Sequence, residues 1–205
     1  MKFANLRVKT KLMLGFAFLA AIVLLVSTLS LHSLGSSNAR FSSYLAGVGA
    51  RERIAAGIHA AASARAIAAR NLVLVTEARD IDLEKAAVLK ADADVGKAVS
   101  NLENAVAQSA DSTERDRALL AEIERIEGLY GAVARDIVGK ALAGQKDAAI
   151  GRMNADCRPL LAALLKATND YAAYDQELAS QRVKMAEDSF AGDRMMLVTV
   201  CGAPW

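Results

Sequence analysis

Asp80–Ser109 reads DIDLEKAAVLKADADVGKAVSNLENAVAQS. Ile81, Val88, Val95 and Leu102 recur every seven residues, with Ala91, Ala98 and Ala105 beside them. Apolar residues at that spacing share one face of an α-helix. Sustained alternation of three and four steps marks helices packed at shallow angles in a bundle. This stretch therefore predicts a bundle helix rather than a lone amphipathic one.

The pattern continues on both sides. Before it, a segment from about His32 to Val75 carries Leu34, Phe41, Leu45, Val48, Ala55, Ala62, Ala66, Ala69 and Val73 on one face. After it, Glu114–Ala143 places Leu119, Ile123, Ile126, Tyr130, Val133 and Ile137 at steps of four and three. A last segment, Lys146–Arg194, does the same with Leu160, Leu164, Ala167, Tyr171, Tyr174, Leu178 and Met185. The joints have turn chemistry. Thr76-Glu77-Ala78-Arg79-Asp80 breaks the first pattern, with Asp80 or Asp82 able to cap the next helix. Asp111, Ser112 and Thr113 are three alternative N-cap side chains ahead of an acidic first turn, and Gly144 stands where a C′ glycine belongs. Pro159 either ends a short piece, Lys146–Asp156, or kinks the last segment, because it removes a ladder donor.

Short connections make sequential helices antiparallel neighbours, so the expected fold is all-α, an up-down-up-down four-helix bundle. The middle helices are about 30 residues, roughly 45 Å, and the outer two approach 45–50 residues, roughly 65–75 Å. The long first and last helices then project together beyond the middle pair. A two-helix stalk has little core, and pairing with a second stalk implies a homodimer. The composition agrees: 54% of residues are apolar, only 5% aromatic, and Pro 2 in the whole chain, which excludes a β-sandwich and a loop-rich fold.

The mean hydropathy of +0.22 is high for a charged helical chain. Leu12–Leu31, LMLGFAFLAAIVLLVSTLSL, is free of charge and at about 1.5 Å per residue spans roughly 30 Å, the hydrocarbon thickness of a bilayer. Lys2, Arg7, Lys9 and Lys11 precede it without an acid, which places the N-terminus in the cytoplasm. A cleaved leader would have a shorter apolar run and a small-residue site at its edge, which Leu31-His32-Ser33-Leu34 lacks. Met195–Ala203 is apolar again behind Arg194 and reads as the start of a second membrane helix. The expected organisation is a cytoplasmic N-terminus at 1–11, a first transmembrane helix at 12–31, an exported bundle at 32–194 and a returning helix at 195–205. Without its basic N-terminus the chain keeps 21 of its 25 Lys and Arg against 23 acids, and no basic stripe, which excludes nucleic acid as a partner.

Little in the sequence suggests catalysis. The two histidines, His32 and His59, stand in no Glu-x-x-His pair, and no Cys-x-x-Cys-His is present, so neither a metal nor a haem cofactor is expected. His59 reads as a packed or half-exposed residue. Cys157 and Cys201 are separated by roughly 66 Å if their helix is continuous, too far for a bridge that needs Cα atoms within about 7 Å.

A basic N-terminus, one membrane helix, a four-helix bundle with long outer helices and a returning apolar segment together resemble the N-terminal half of bacterial methyl-accepting chemotaxis receptors. Asn5-Leu6-Arg7-Val8-Lys9-Thr10-Lys11-Leu12 leading to Gly15-Phe16, Ala64–Leu74 near the far turn, and Arg158-Pro159-Leu160 carry the resemblance. It implies an inner-membrane protein with its bundle in the periplasm. The bundle would detect an amino acid, an organic acid or a periplasmic binding protein, and pass a signal without enzyme activity of its own. Arg65 and Arg70 stand at a level of the first bundle helix where such receptors grip a carboxylate. Leu74 stands where a further arginine would be expected. A five-residue step turns a helix by about 140°, so one arginine faces its own bundle and the other a partner subunit. Arg152, Asn154 and Arg158 should lie opposite at the same height as a polar second wall, so the candidate ligand-binding residues are Arg65, Arg70, Asn154 and Arg158. The plainer alternative makes the two arginines surface or interhelical salt-bridge residues. Such receptors continue through a second membrane helix, a HAMP module and a methylated cytoplasmic hairpin; a chain ending at Trp205 is expected to lack that output half. Histidine kinases and nucleotide cyclases use the same sensor, and a non-sensing membrane-tethered adaptor is the third reading.

Overall fold

The computed structural model describes residues 8–202, and within that span the side chains of all but residues 40, 43–46, 189, 193 and 196–202. The architecture is all-α. Its elements are α1 (Val8–Ala46), α2 (Val48–Leu74), α3 (Ala78–Gln108), α4 (Glu114–Leu142), α5 (Lys146–Arg152), a π-helical turn (Met153–Cys157) and α6 (Arg158–Gly202). The chain divides into two compact units, Tyr44–Gln181 and the residues before and after it.

In the first unit α2, α3, α4 and the helix formed by α5, the π turn and the start of α6 make a four-helix bundle. Its seam follows the heptads of the sequence. Val95 and Leu102 on α3, Ile123 and Ile137 on α4, and Leu164 and Tyr171 on α6 are all fully buried. Two turns are built by local chemistry. Thr113 caps α4 in a capping box: its hydroxyl accepts from Asp116 N–H at 3.1 Å while its own N–H donates to Asp116 Oδ2 at 2.7 Å. At the other end of α4, Gly144 adopts φ +73°, the left-handed conformation that a side chain would strain. Gln145 N–H then bonds Lys140 O at 2.9 Å and Gly144 N–H bonds Ala141 O at 3.1 Å, a Schellman motif. Lys146 Nζ donates to Val75 O at 2.9 Å and ties the two far turns together.

Three details differ from expectation. The first segment is not one helix: the backbone breaks at Gly47 (φ −94°, ψ −101°), where α2 starts without a side-chain cap. Gly47 and Gly49 flank Val48, and after proline glycine is the residue least favourable to a continuous helix. Neither Asp80 nor Asp82 caps α3; Glu77 is the N-cap residue and Asp80 lies in the first turn, where its charge favours the helix N-terminus. Pro159 does not end the last helix. The turn before it widens to π, and an α ladder missing one donor resumes around the proline.

The second unit contains most of α1 and the end of α6. Val8–Ala39 is, among the described residues, the one stretch long and apolar enough to cross a membrane, and none of its most apolar part is buried. Thr28 within it donates its hydroxyl to Leu24 O, which satisfies the polar atom inside the apolar helix. Met195–Ala203 reads on as helix to Gly202; Ala203 and the side chain of Cys201 lie outside the described residues.

Candidate functional site

Val48, Arg51, Ala55, Ile58, Ala62, Arg65, Ala69 and Leu72 alternate at steps of three and four along α2, and all are buried. Two arginines thus occupy core positions of the seam. A buried guanidinium must be paired, and each organises a polar layer across the bundle.

The layer at Arg65 lies in the half of the bundle that holds the far turns. Arg65 Nη1 and Nη2 donate to Glu127 Oε1 and Oε2, both at 2.7 Å, the two parallel bonds for which a guanidinium fork is shaped. Nη1 also reaches Asp92 Oδ1 at 2.7 Å, and Arg135 approaches the same carboxylate at 3.6 Å. The guanidinium carbon stands 4.4 Å from the ring centroid of Tyr130. Burial opposes the charge on Arg65, but the bonds and charges of Glu127 and Asp92 outweigh it and raise its pKa further. Gly131 leaves the room: a Cβ there would stand 3.0 Å from Glu127 Oε1 and 3.6 Å from Arg65 Nη1. Two arginines face two acids, and the layer is balanced.

The layer at Arg51 lies at the end where the chain enters the bundle. Arg51 Nη1 donates to Ser109 Oγ at 2.9 Å and to Asp111 Oδ1 at 3.0 Å. Its other nitrogens approach Asp116 Oδ1 and Asp175 Oδ1, both at 3.6 Å. Tyr171 donates to Asp116 Oδ1 at 3.3 Å, and Tyr174 meets the Thr113 hydroxyl at 2.8 Å. Here one guanidinium serves three carboxylates. Burial works against its charge, but Asp111, Asp116 and Asp175 outweigh it, so its pKa is raised. Asp175 is fully buried, and neither of its oxygens has a hydrogen-bond partner among the described residues.

A cavity of about 390 Å³ opens between α2 and the π turn, lined by Ala66, Arg70, Met153, Asn154, Cys157, Arg158 and Leu161. The widened turn supplies three of these residues, and π turns recur at functional sites. Arg70, Asn154 and Arg158 are exposed, and none makes a side-chain hydrogen bond or ion pair among the described residues. Two guanidinium groups and an amide beside an apolar floor form an arrangement that fits a small anion carrying some apolar surface. Cys157 is a free, buried thiol. Burial pushes its pKa up, against the hydroxyl of Tyr130 and the charges of Arg65 and Arg70, so at neutral pH it is a thiol rather than a nucleophilic thiolate.

The structure thus brings together three of the four residues expected at the site, Arg70, Asn154 and Arg158. Arg65 does not line the cavity, because its fork is occupied by Glu127 and Asp92 inside the bundle. Its connection to the cavity is indirect, through Tyr130, whose electrostatic neighbours are Arg65 and Cys157. Arg152 pairs with Asp136 and Asp156 and also stays outside. His59 is half-buried with Nδ1 3.4 Å from Thr168 Oγ1. Among the described residues no group of His, Cys, Asp and Glu is placed to hold a metal ion. Sequence reasoning missed Arg51, Asp116 and Asp175. Only Arg51 had a signal in the spacing, since Arg51, Ile58, Arg65 and Leu72 form a second seven-residue row beside the alanine row.

A bundle seam carrying polar layers, with an arginine-lined cavity on one flank, is the architecture of a helical sensory module. The chain belongs to the family described as the four helix bundle sensory module for signal transduction, found in chemotaxis receptors, which matches residues 5–190. No curated protein and no solved structure gives a significant match.

Proposed function

We propose that this chain is the sensory portion of a methyl-accepting chemotaxis receptor. In this reading α1 anchors it in the inner membrane with the N-terminus in the cytoplasm, and the bundle senses a small anionic molecule in the periplasm as a homodimer. The family assignment supports the sensory role, and Val8–Ala39, whose most apolar part contains no buried residue, supports the anchor. The observation that carries the ligand is the cavity bearing Arg70, Asn154 and Arg158 without internal partners. An amino or organic acid would set its carboxylate against the two guanidinium groups and its apolar part on Met153 and Leu161. Arg65 would be a positioning residue, holding Tyr130 behind Cys157 at the cavity floor.

Binding at this level touches both α2 and the start of the last helix, so a ligand that draws them together would change the packing along α6. That is the helix through which a receptor would carry the signal onward. A kinase or cyclase output would use the same motion. Screening amino and organic acids by thermal shift on the full chain in detergent tests the reading. A stabilising acid whose effect disappears in Arg70→Ala and Arg158→Ala is expected. A stabilising acid indifferent to both substitutions would overturn this pocket, and no stabilising acid would favour a protein partner or an adaptor role.

A further inference from the structure

The Arg51 layer has more negative charge than its guanidinium can neutralise, and the surplus falls on Asp175. Asp116 has its own partners: the Thr113 N–H and hydroxyl on one oxygen, and Tyr171 on the other. Asp111 is hydrogen-bonded to Arg51 and is partly open to solvent. Among the described residues Asp175 is closed to solvent and has no partner within hydrogen-bond distance, and Arg51 Nη2 approaches it at 3.6 Å. A bare carboxylate in such a place carries a heavy desolvation cost; a neutral carboxyl does not.

We propose that Asp175 is a proton-binding site, taking up and releasing one proton in the folded chain and so changing the charge buried between α2, α4 and α6. The charged and titratable groups facing it are Arg51 and Glu52 on α2, Asp111 in the α3–α4 turn, Asp116 on α4, and Tyr171 and Tyr174 on its own helix. Of these only Arg51 is cationic. Burial pushes the Asp175 carboxyl up to about 7, Arg51 pulls against it, and the charges of Asp116 and Glu52 add to the rise. Tyr171 is raised as well, by burial and by the same two aspartates, so it stays a neutral donor throughout.

The consequence is mechanical. Protonated Asp175 lets α6 pack against Arg51 and Asp116 without a net buried charge. Ionised Asp175 repels Asp116 and draws Arg51 and water towards itself, which loosens α6 at the end where it leaves the bundle. Proton occupancy would then bias the same helix as a ligand does, from a different site. The inference does not rest on the ligand reading above, because no cavity residue takes part.

Infrared spectroscopy of the full chain in lipid nanodiscs, following the carboxyl C=O stretch between about pH 5.5 and pH 8.5, tests it. The expected result is one protonated carboxyl that disappears with a midpoint near 7 and is missing in Asp175→Asn. Glu52→Gln, an edge substitution that removes a negative neighbour, should lower the midpoint by a fraction of a pH unit and serves even if Asp175→Asn does not fold. A flat carboxyl spectrum over this range, or a titration that persists in a folded Asp175→Asn, would overturn the proposal. So would a midpoint indifferent to Glu52→Gln.

Discussion

Arg51 and Arg65 occupy equivalent positions of the α2 seam two heptads apart, and each is 1% exposed. Their surroundings differ in charge. Arg65, helped by Arg135, meets two acids, whereas Arg51 alone meets three. The same residue type in the same register therefore makes a locked layer in one half of the bundle and a titratable one in the other.

Arg65→Ala should destabilise the bundle by about 3–5 kcal/mol, because it strands Glu127 and Asp92 partly buried without their cation. Arg65→Lys should recover only part of this, since an ammonium cannot make both parallel bonds to Glu127. Denaturant unfolding of the full chain in detergent measures both. A loss below about 1 kcal/mol for the alanine variant would mean the layer is a surface-like ion pair.

Arg70→Ala and Arg158→Ala should leave stability within about 0.5 kcal/mol of the parent, because both side chains are exposed and unpaired among the described residues. If the cavity takes a carboxylate, each should weaken binding at least about tenfold, as expected for the loss of a charged hydrogen bond. Isothermal titration with the acid found in the screen separates the two effects. Equal losses of stability and affinity would argue for a structural role instead.

The sign of the pH dependence follows from Asp175. Its folded pKa is raised from 3.8 to about 7, so between these values the folded chain holds a proton that the unfolded chain has released. Its contribution to stability is therefore complete below about pH 4, falls as pH rises towards 7 and is constant above; the total is on the order of 4 kcal/mol at most. Melting temperatures compared from acid to mildly alkaline pH should show a downward slope that is flatter in Asp175→Asn. Parallel slopes in the two proteins would contradict this assignment.

Thr113→Ala removes the capping box of α4 and the contact with the Tyr174 hydroxyl together, and should cost about 1–2 kcal/mol. Thr113→Ser keeps the hydroxyl and should lose well under half of that. Thermal melts of the two variants side by side check the comparison.

Much of the bundle was legible in the chain because helices advertise themselves locally. The heptads of Asp80–Ser109, the capping residues before Glu114 and the glycine after Ala143 act within a few residues of themselves, and each structural element follows from them. The exceptions arose where two local signals competed. At Gly47 backbone freedom broke a helix that the apolar pattern had continued. At Pro159 the missing donor was absorbed by a widened turn that no pattern of side chains announces.

Three cavity residues were also within reach: the resemblance to chemotaxis receptors singled out Arg70, and height along the helices set Arg152, Asn154 and Arg158 opposite it, of which Arg152 stays outside the cavity. The role of Arg65 was not. Its position in the sequence fits a ligand contact and a core ion pair equally, and only the packing of α3 and α4 around it, bringing Asp92 and Glu127 within 2.7 Å, assigns the fork to the interior. The Arg51 layer makes the point more strongly. Asp111, Asp116 and Asp175 come from three separate stretches of chain, and nothing in any one of them says that they will share a cation. What the sequence by itself determined is where the helices lie and which faces meet, because periodicity is a local property. What the tertiary structure decided is how the buried charges are divided, because desolvation and pairing exist only once the four helices have closed around them.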